Sequence, residues 1–207
     1  MSPAEDHLDA ILIAAFPLTL AVGVLLIPVV PDYSNHDLAA QAATDSVRWF
    51  WGHVLSAAAF GLSVVAASII ARSNAALGSP APARFALLLV AVGAALHAAG
   101  LGADGVGPLA LAAEGSASQI FFNGSGSCVP PLFIAGSVVF GVGQLLLILG
   151  FTRTVSARLR TGLMAAAIGF SAAEAIPSGW GLYAVGALGL LLYLPVSYLV
   201  WHGRARP

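Results

Sequence analysis

A chain of 207 residues that is 59% hydrophobic and only 8% charged, with a mean hydropathy of +0.93, lies outside the range of an ordinary soluble domain. Eight arginines and no lysine stand against nine acidic residues, which leaves no basic footprint for nucleic acid and no amine for a retinal Schiff base. Cys128 is the single cysteine, so neither an internal disulfide nor a dithiol mechanism is open to it.

The apolar runs predict an all-α polytopic membrane protein, a six-transmembrane-helix bundle forming one integral membrane domain over residues 1–207. The N-terminus MSPAEDHLDA is acidic where a secretory signal needs basic residues, so the first run, about 10–30, is read as a retained anchor. Pro17 predicts a kink there, tolerated because neighbouring helices and Thr19 can satisfy freed backbone groups. The loop PDYSNHDLAAQAATDS, with Asp32, His36, Asp37 and Asp45, reads as solvated. The second span, about 47–71, opens with RWFWGH, where Arg48, Trp49 and Trp51 predict an interfacial aromatic anchor. His53 follows one turn further in, with Ser56, Phe60 and Ser63 on much the same face.

After the turn-forming stretch RSNAALGSPAPAR, the third span runs from about 85 to 104. Its end, GAALHAAGLGADG, places Gly93, His97, Gly100 and Asp104 within about 60° of one another on a helix, a narrow stripe that must face protein. An ionisable group at membrane depth costs roughly 2.5 kcal/mol or more without a partner, and the glycines let a neighbouring helix come close. Residues 105–130 are the longest connection. Within it, Leu109 to Phe122 fits either an interfacial helix or a disordered loop, and NGSGS is a flexible turn that also matches a glycosylation acceptor.

The fourth span, about 131–151, carries Ser137 and Gln144 on one face, and the basic loop TRTVSARLR follows. The fifth, about 161–177, carries Ser171 and Glu174 at i, i+3. After PSGWG, the sixth, about 180–201, aligns Tyr183, Gly186, Tyr193 and Ser197. Arg72, Arg84, Arg153, Arg158, Arg160, Arg204 and Arg206 fall on one side and Arg48 alone on the other, so both termini are expected to be cytoplasmic in a cell membrane.

Depth then locates a site. At about 1.5 Å per residue, His97 lies about 20 Å above Arg84, Glu174 about 21 Å above Arg160 and His53 about 7 Å inside Arg48, one common level in the outer half. The expected site is therefore His53, His97 and Glu174, open to the outside past Asp104, with Ser56 and Ser171 as supporting hydrogen-bond donors. Gln144 belongs to a deeper layer.

Three chemistries could use such a site. His53, His97 and Glu174 could ligate a divalent metal. The two histidines could hold a b-type haem or a chlorophyll-like pigment. The same groups could instead form a proton or ion relay. Mutual pinning of helices by these groups is the structural alternative. The chain lacks a GxSxG elbow and a phosphate-binding loop.

Triplets of Ala or Gly followed by Val-Gly, at Ala21, Ala91, Gly141 and Ala184, fit an inverted three-plus-three repeat but more simply serve close packing. At WGHVL, Trp51 to Leu55, and ADG, Ala103 to Gly105, the chain resembles a loose class of prokaryotic multi-pass membrane proteins, a resemblance that implies no activity. Two functional classes follow. One is a membrane protein binding a small ligand, metal or haem-like cofactor, with or without catalysis. The other is a non-catalytic subunit or small oligomeric transporter in the bilayer, for which Gly61 and Gly189 offer small-residue faces.

Overall fold

A computed structural model describes residues 3–78, 80–125, 128–174, 176 and 178–202. Among these, six long helices and two short ones account for the architecture: α1 Pro3–Leu26, α2 His36–Ala42, α3 Ser46–Ala76, α4 Pro80–Ala113, α5 Gln119–Gly124, α6 Val129–Phe151, α7 Ala157–Ala173 and α8 Gly179–Trp201. Side chains of Asn35, Asp45, Ser156 and Ser178 start α2, α3, α7 and α8 by accepting from backbone N–H groups of the first turn. Gly78 and Gly115 follow α3 and α4 with φ of 86° and 77°, a left-handed conformation that glycine adopts without strain.

The long helices α1, α3, α4, α6, α7 and α8 pack as successive neighbours, and α8 closes the ring against α1. The seam between first and last helix is fixed by His7 stacked on Trp201 at 4.0 Å and by Ser197 Oγ donating to Ala10 O at 2.8 Å. Both ends of the described chain therefore lie on one face, the terminal face, where Arg72 also bonds Asp9 at 3.1 Å. At the opposite face α2 and α5 pack on each other and form a cap.

Five of the helices are long and apolar enough to cross a membrane. The sixth, α7, has 17 residues, about 26 Å against a hydrocarbon core of about 30 Å. Outward-facing side chains are apolar along the bundle, among them Leu18, Val22 and Leu25 on α1, Leu88 and Val92 on α4, Ile134 and Val138 on α6, and Leu191 on α8. Polar groups are turned inward instead: His53, Ser56, Ser63, Asn74, His97, Ser137 and Gln144 are all buried. A protein polar inside and apolar outside is built for lipid.

Glycine sets the spacing between α4 and α6. A methyl group built on Gly93 would lie 2.4 Å from Phe140 N, and one on Gly143 would lie 2.7 Å from Val90 N. Gly100 faces Phe133 and Gly136 faces His97, so the contacts step along the two helices in opposite directions by equal amounts, an antiparallel register. The Val-Gly triplets thus end in packing glycines: Gly23 meets Ser56, Gly93 and Gly143 join α4 to α6, and Gly186 approaches Ala21. Gly189 packs on Phe170, whereas Gly61 has nothing within 4 Å.

Several boundaries differ from expectation. The first span begins at Pro3 and ends at Leu26, so Asp6 and Asp9 are buried in its first turns. The third does not stop near Asp104. It runs on to Ala113 with Pro108 inside, because Gly107 and Leu109 pack against Phe121 and the cap. The connection read as interfacial helix or loop is thus the end of α4, a reversal at Gly115 and the short α5. Trp49 is not an interfacial anchor. It is fully buried beneath the cap with Val30, Ala39, Ala43 and Phe122, while Trp51 is exposed. His36, expected to be solvated, is half-buried and bonded to Asn123 Oδ1 at 2.7 Å. Arg204, Arg206, Pro177 and the Gly126 and Ser127 end of NGSGS lie outside the described residues.

Gly93→Ala should lower thermal stability in detergent by about 1–3 kcal/mol, since the added methyl meets backbone rather than a movable side chain. Gly102→Ala, with open space around it, should be neutral or raise stability by up to about 1 kcal/mol. Equal melting temperatures for the two variants would contradict the α4–α6 contact.

Candidate functional site

The middle of the bundle is filled by one ring from each long helix: Phe16 from α1, Phe60 from α3, His97 from α4, Phe140 from α6, Phe170 from α7 and Tyr193 from α8. Phe16 is the hub, with ring centroids 4.8 Å from Tyr193 and 6.4 Å from Phe60, Phe140 and Phe170. His97 stacks on Phe60 at 4.2 Å and 14°, and Phe140 stands edge-on to Phe60. In Phe16, Phe60, Phe140 and Tyr193 the ring sits near the middle of its helix, as His97 does in α4, so the rings meet at one height and plug the bundle.

On the cap side of this plug, two histidine–carboxylate pairs lie one above the other. His97 Nε2 is 3.5 Å from Glu174 Oε1, with both side chains almost fully buried. Gly136 leaves the room for it, since a methyl there would be 3.2 Å from His97 Nε2. Glu174 follows the last residue of α7, four residues beyond Phe170 and thus about 6 Å above the plug. Neither oxygen of Glu174 and not His97 Nε2 makes a hydrogen bond, and Ser56 Oγ, one turn from Phe60 toward the cap, is equally without one.

The second pair is about 10 Å nearer the cap, two turns along both α3 and α4. His53 Nε2 lies 3.5 Å from Asp104 Oδ2, and His53 Nδ1 is 2.6 Å from Trp49 O. A carbonyl can only accept, so Nδ1 carries hydrogen and Nε2 is the nitrogen turned to the Asp104 carboxylate. Trp49 Nε1 donates to Asp104 O at 2.8 Å, and its ring lies 4.5 Å from that of His53. Gly105 admits the His53 side chain, whose Cβ would be 2.6 Å from a methyl there. Trp49, His53 and Asp104 therefore latch α3 to α4 through two polar contacts, with the Trp49 O bond orienting the His53 ring within α3.

The structure brings His97 to Glu174 and His53 to Asp104. It does not bring His53, His97 and Glu174 into one group, and among the described residues no three His, Cys, Asp or Glu side chains converge as a metal would need. The reason lies in the depth count for His53. Arg48 is a poor reference level, because α2 and α5 bury the adjacent Trp49 and protein continues beyond it. Nor do the histidines offer a free Nε2 each to a haem, since both face carboxylates. Ser171 sits against Gly141 and donates to Ala167 O at 3.0 Å, away from any shared site.

Neither Trp49, read as an interfacial anchor, nor Tyr193, read as part of the polar face of the last span, is assigned to the site from the sequence. An indole at a helix start reads as an interfacial belt until something is known to cover it, and a tyrosine on a helix face does not by itself reveal which helix it bonds. One aromatic residue near the middle of most spans was the available clue.

Tyr33, in the loop after α1, is the remaining group over this site. Burial, with the Asp104 carboxylate and the Tyr183 phenol nearby, pushes its own phenol above the usual tyrosine range.

Comparison with protein-family models, with curated proteins and with solved structures finds no match to this chain.

His53→Ala should cost about 1–3 kcal/mol of stability by stranding Asp104 and Trp49 O, and the double variant with Asp104→Ala should cost less than the two singles added. Additive losses would show that the two side chains do not act together. A raised tyrosine pKa contributes stability that is present below the unfolded value, about 10, and is lost as the pH climbs past it. Alkali above about pH 10 should therefore loosen the cap, seen as a red shift of tryptophan emission as Trp49 is wetted, and Tyr33→Phe should remove that transition.

Proposed function

We propose that this chain is a multi-pass membrane protein, with both termini cytoplasmic, that takes up and releases protons at His97 and Glu174, reached from the extracytoplasmic side past Asp104. The observation that carries the reading is the bare contact between the two groups: Nε2 and Oε1 are 3.5 Å apart, and no hydrogen bond satisfies either Glu174 oxygen. Helix-pinning polar groups are expected to be hydrogen-bonded, as His53 Nδ1 is to Trp49 O at 2.6 Å. A buried acid and base left facing each other are arranged to exchange a proton, with water as the carrier.

Two features support access from the cap side. Glu174 stands where α7 has ended, beside the first turn of α8, where a methyl on Gly181 would lie 3.1 Å from Ala173 O, and non-helical backbone there is tolerated where protein or water surrounds it. Ser56 Oγ, also unpaired, offers a further polar atom on that side of the plug. The orientation rests on Arg72, Arg84, Arg153, Arg158 and Arg160 at the terminal face against Arg48 at the cap face. A metal centre is less well served, because His97 and Glu174 supply two donors where about three or four are needed. The titratable groups facing Glu174 are His97 from α4 and Tyr193 from α8.

Infrared titration of the protein in liposomes tests this. The wild type should show a protonated-carboxyl C=O band that changes with external pH, and Glu174→Gln should abolish it while Asp104→Asn leaves it present. A spectrum without a pH-dependent carboxyl band, or one untouched by Glu174→Gln, would rule the proposal out.

A further inference from the structure

His53 and His97 are both buried and both face a carboxylate, yet different forces aim their rings. His53 is anchored by a hydrogen bond, Nδ1 to Trp49 O at 2.6 Å. Among the described residues His97 has no such anchor: its Nε2 makes no hydrogen bond and stands 3.5 Å from Glu174 Oε1. The outer torsion of a histidine is broad, so an imidazole without a hydrogen bond takes its plane from what packs on it.

That packing singles out Phe60. It lies flat against the imidazole, with ring centroids 4.2 Å apart and planes 14° from parallel, whereas Phe133 and Phe140 stand 6.1 Å away at 49° and 87°. Of the three, the flat contact is the one that sets the plane of the imidazole. Phe60 is itself held in the plug by Phe140 at 5.4 Å and Phe16 at 6.4 Å. Gly136 keeps the Nε2 edge open, since a methyl there would lie 3.1 Å from Cδ2 and 3.2 Å from Nε2. An aromatic face suits both charge states of its neighbour, because a neutral imidazole stacks on it and an imidazolium is attracted to it. The groups against the His97 ring are thus Phe60 from α3, Phe133, Gly136 and Phe140 from α6, and the Glu174 carboxyl after α7. Glu174 alone of these is ionisable, and it faces Tyr193 of α8 as well.

We propose that Phe60 is the positioning residue of the proton site: lying flat on His97, it holds the imidazole plane so that the Nε2 edge meets Glu174 whichever of the two carries the proton. The inference rests on the proton-exchange reading of that pair. Phe60 takes no part in the exchange itself. With no hydrogen bond on the imidazole, losing the flat contact lets the ring tilt, and Nε2 leaves the line to the carboxylate.

The test is infrared titration of the full chain in liposomes, with the midpoint of the Glu174 carboxyl band as the readout. His97→Gln, which removes the imidazole, should displace that midpoint by about one pH unit or more. Phe60→Leu, with His97 intact, should move it the same way by at least about half as much. Phe16→Leu controls for a loosened plug, because Phe16 pairs with four rings but not with His97. It should lower the melting temperature and leave the midpoint at the wild-type value. A Phe60→Leu midpoint equal to wild type, equal displacement by Phe60→Leu and Phe16→Leu, or a His97→Gln midpoint that does not move overturns the inference. In each of those cases a band that titrates and is lost in Glu174→Gln leaves the proton-exchange reading standing, whereas absence of the band removes both. Should Phe60→Leu not fold, as judged by its melting temperature, Phe60→Met, which fills similar space with a flexible chain, is read by the same criterion.

Discussion

Six rings from six helices meeting at one height is the constraint on which the rest of the molecule depends. Lipid tails are as apolar as leucine, so helices gain little by hiding apolar side chains from the bilayer, and shape and close packing must hold them together. Edge-on and tilted ring pairs contribute roughly 0.5–1.5 kcal/mol each beyond their area, and Phe16 makes four of them. For rings on α4 and α6 to reach the centre, the backbones must come close, which is what Gly93, Gly136 and Gly143 permit. The rings then fix the height of every polar group by its offset in sequence. Glu174 is four residues past Phe170, Gln144 four past Phe140, His53 seven before Phe60 and Asp104 seven past His97.

Those offsets explain what could be read in the chain and what could not. An all-helical membrane bundle with polar stripes turned inward follows from long apolar runs broken by single polar residues, and the structure has that form. His97 and Glu174, counted upward from Arg84 and Arg160, lie 3.5 Å apart because both counts start from arginines at the terminal face. His53 was counted down from Arg48, and there the count fails. The cap buries Trp49 and carries protein beyond the first turn of α3, so a charged residue and two tryptophans do not mark a boundary. A covering element built from two helices of seven and six residues is short and mixed in composition, and it leaves no periodic trace from which to infer it.

The two histidines show how similar residue pairs come to do different work. His53 is bonded at Nδ1 to Trp49 O, its Nε2 lies 3.5 Å from Asp104, and the indole of Trp49 bonds the Asp104 backbone in turn. Such a loop of contacts fixes a geometry. His97 has an aromatic face against Phe60 and a single carboxylate at its edge. Leaving a buried polar atom unbonded costs about 1–3 kcal/mol, and the pair leaves Nε2 and two carboxylate oxygens in that condition. A purely structural contact would gain by closing those bonds, and their openness is what the proton-exchange proposal rests on.

The distribution of unbonded atoms about the plug is itself ordered. Among the buried atoms left without a hydrogen bond, those of His97, Glu174 and Ser56 stand on the cap side and those of the Gln144 and Asn74 amides on the terminal side. Tyr193 stands between them, its ring meeting Phe16 at 4.8 Å and its hydroxyl donating to Gln144 Oε1 at 3.0 Å. That position therefore asks for a ring wide enough to fill the plug, with one hydrogen-bond donor at its tip to satisfy the buried amide oxygen.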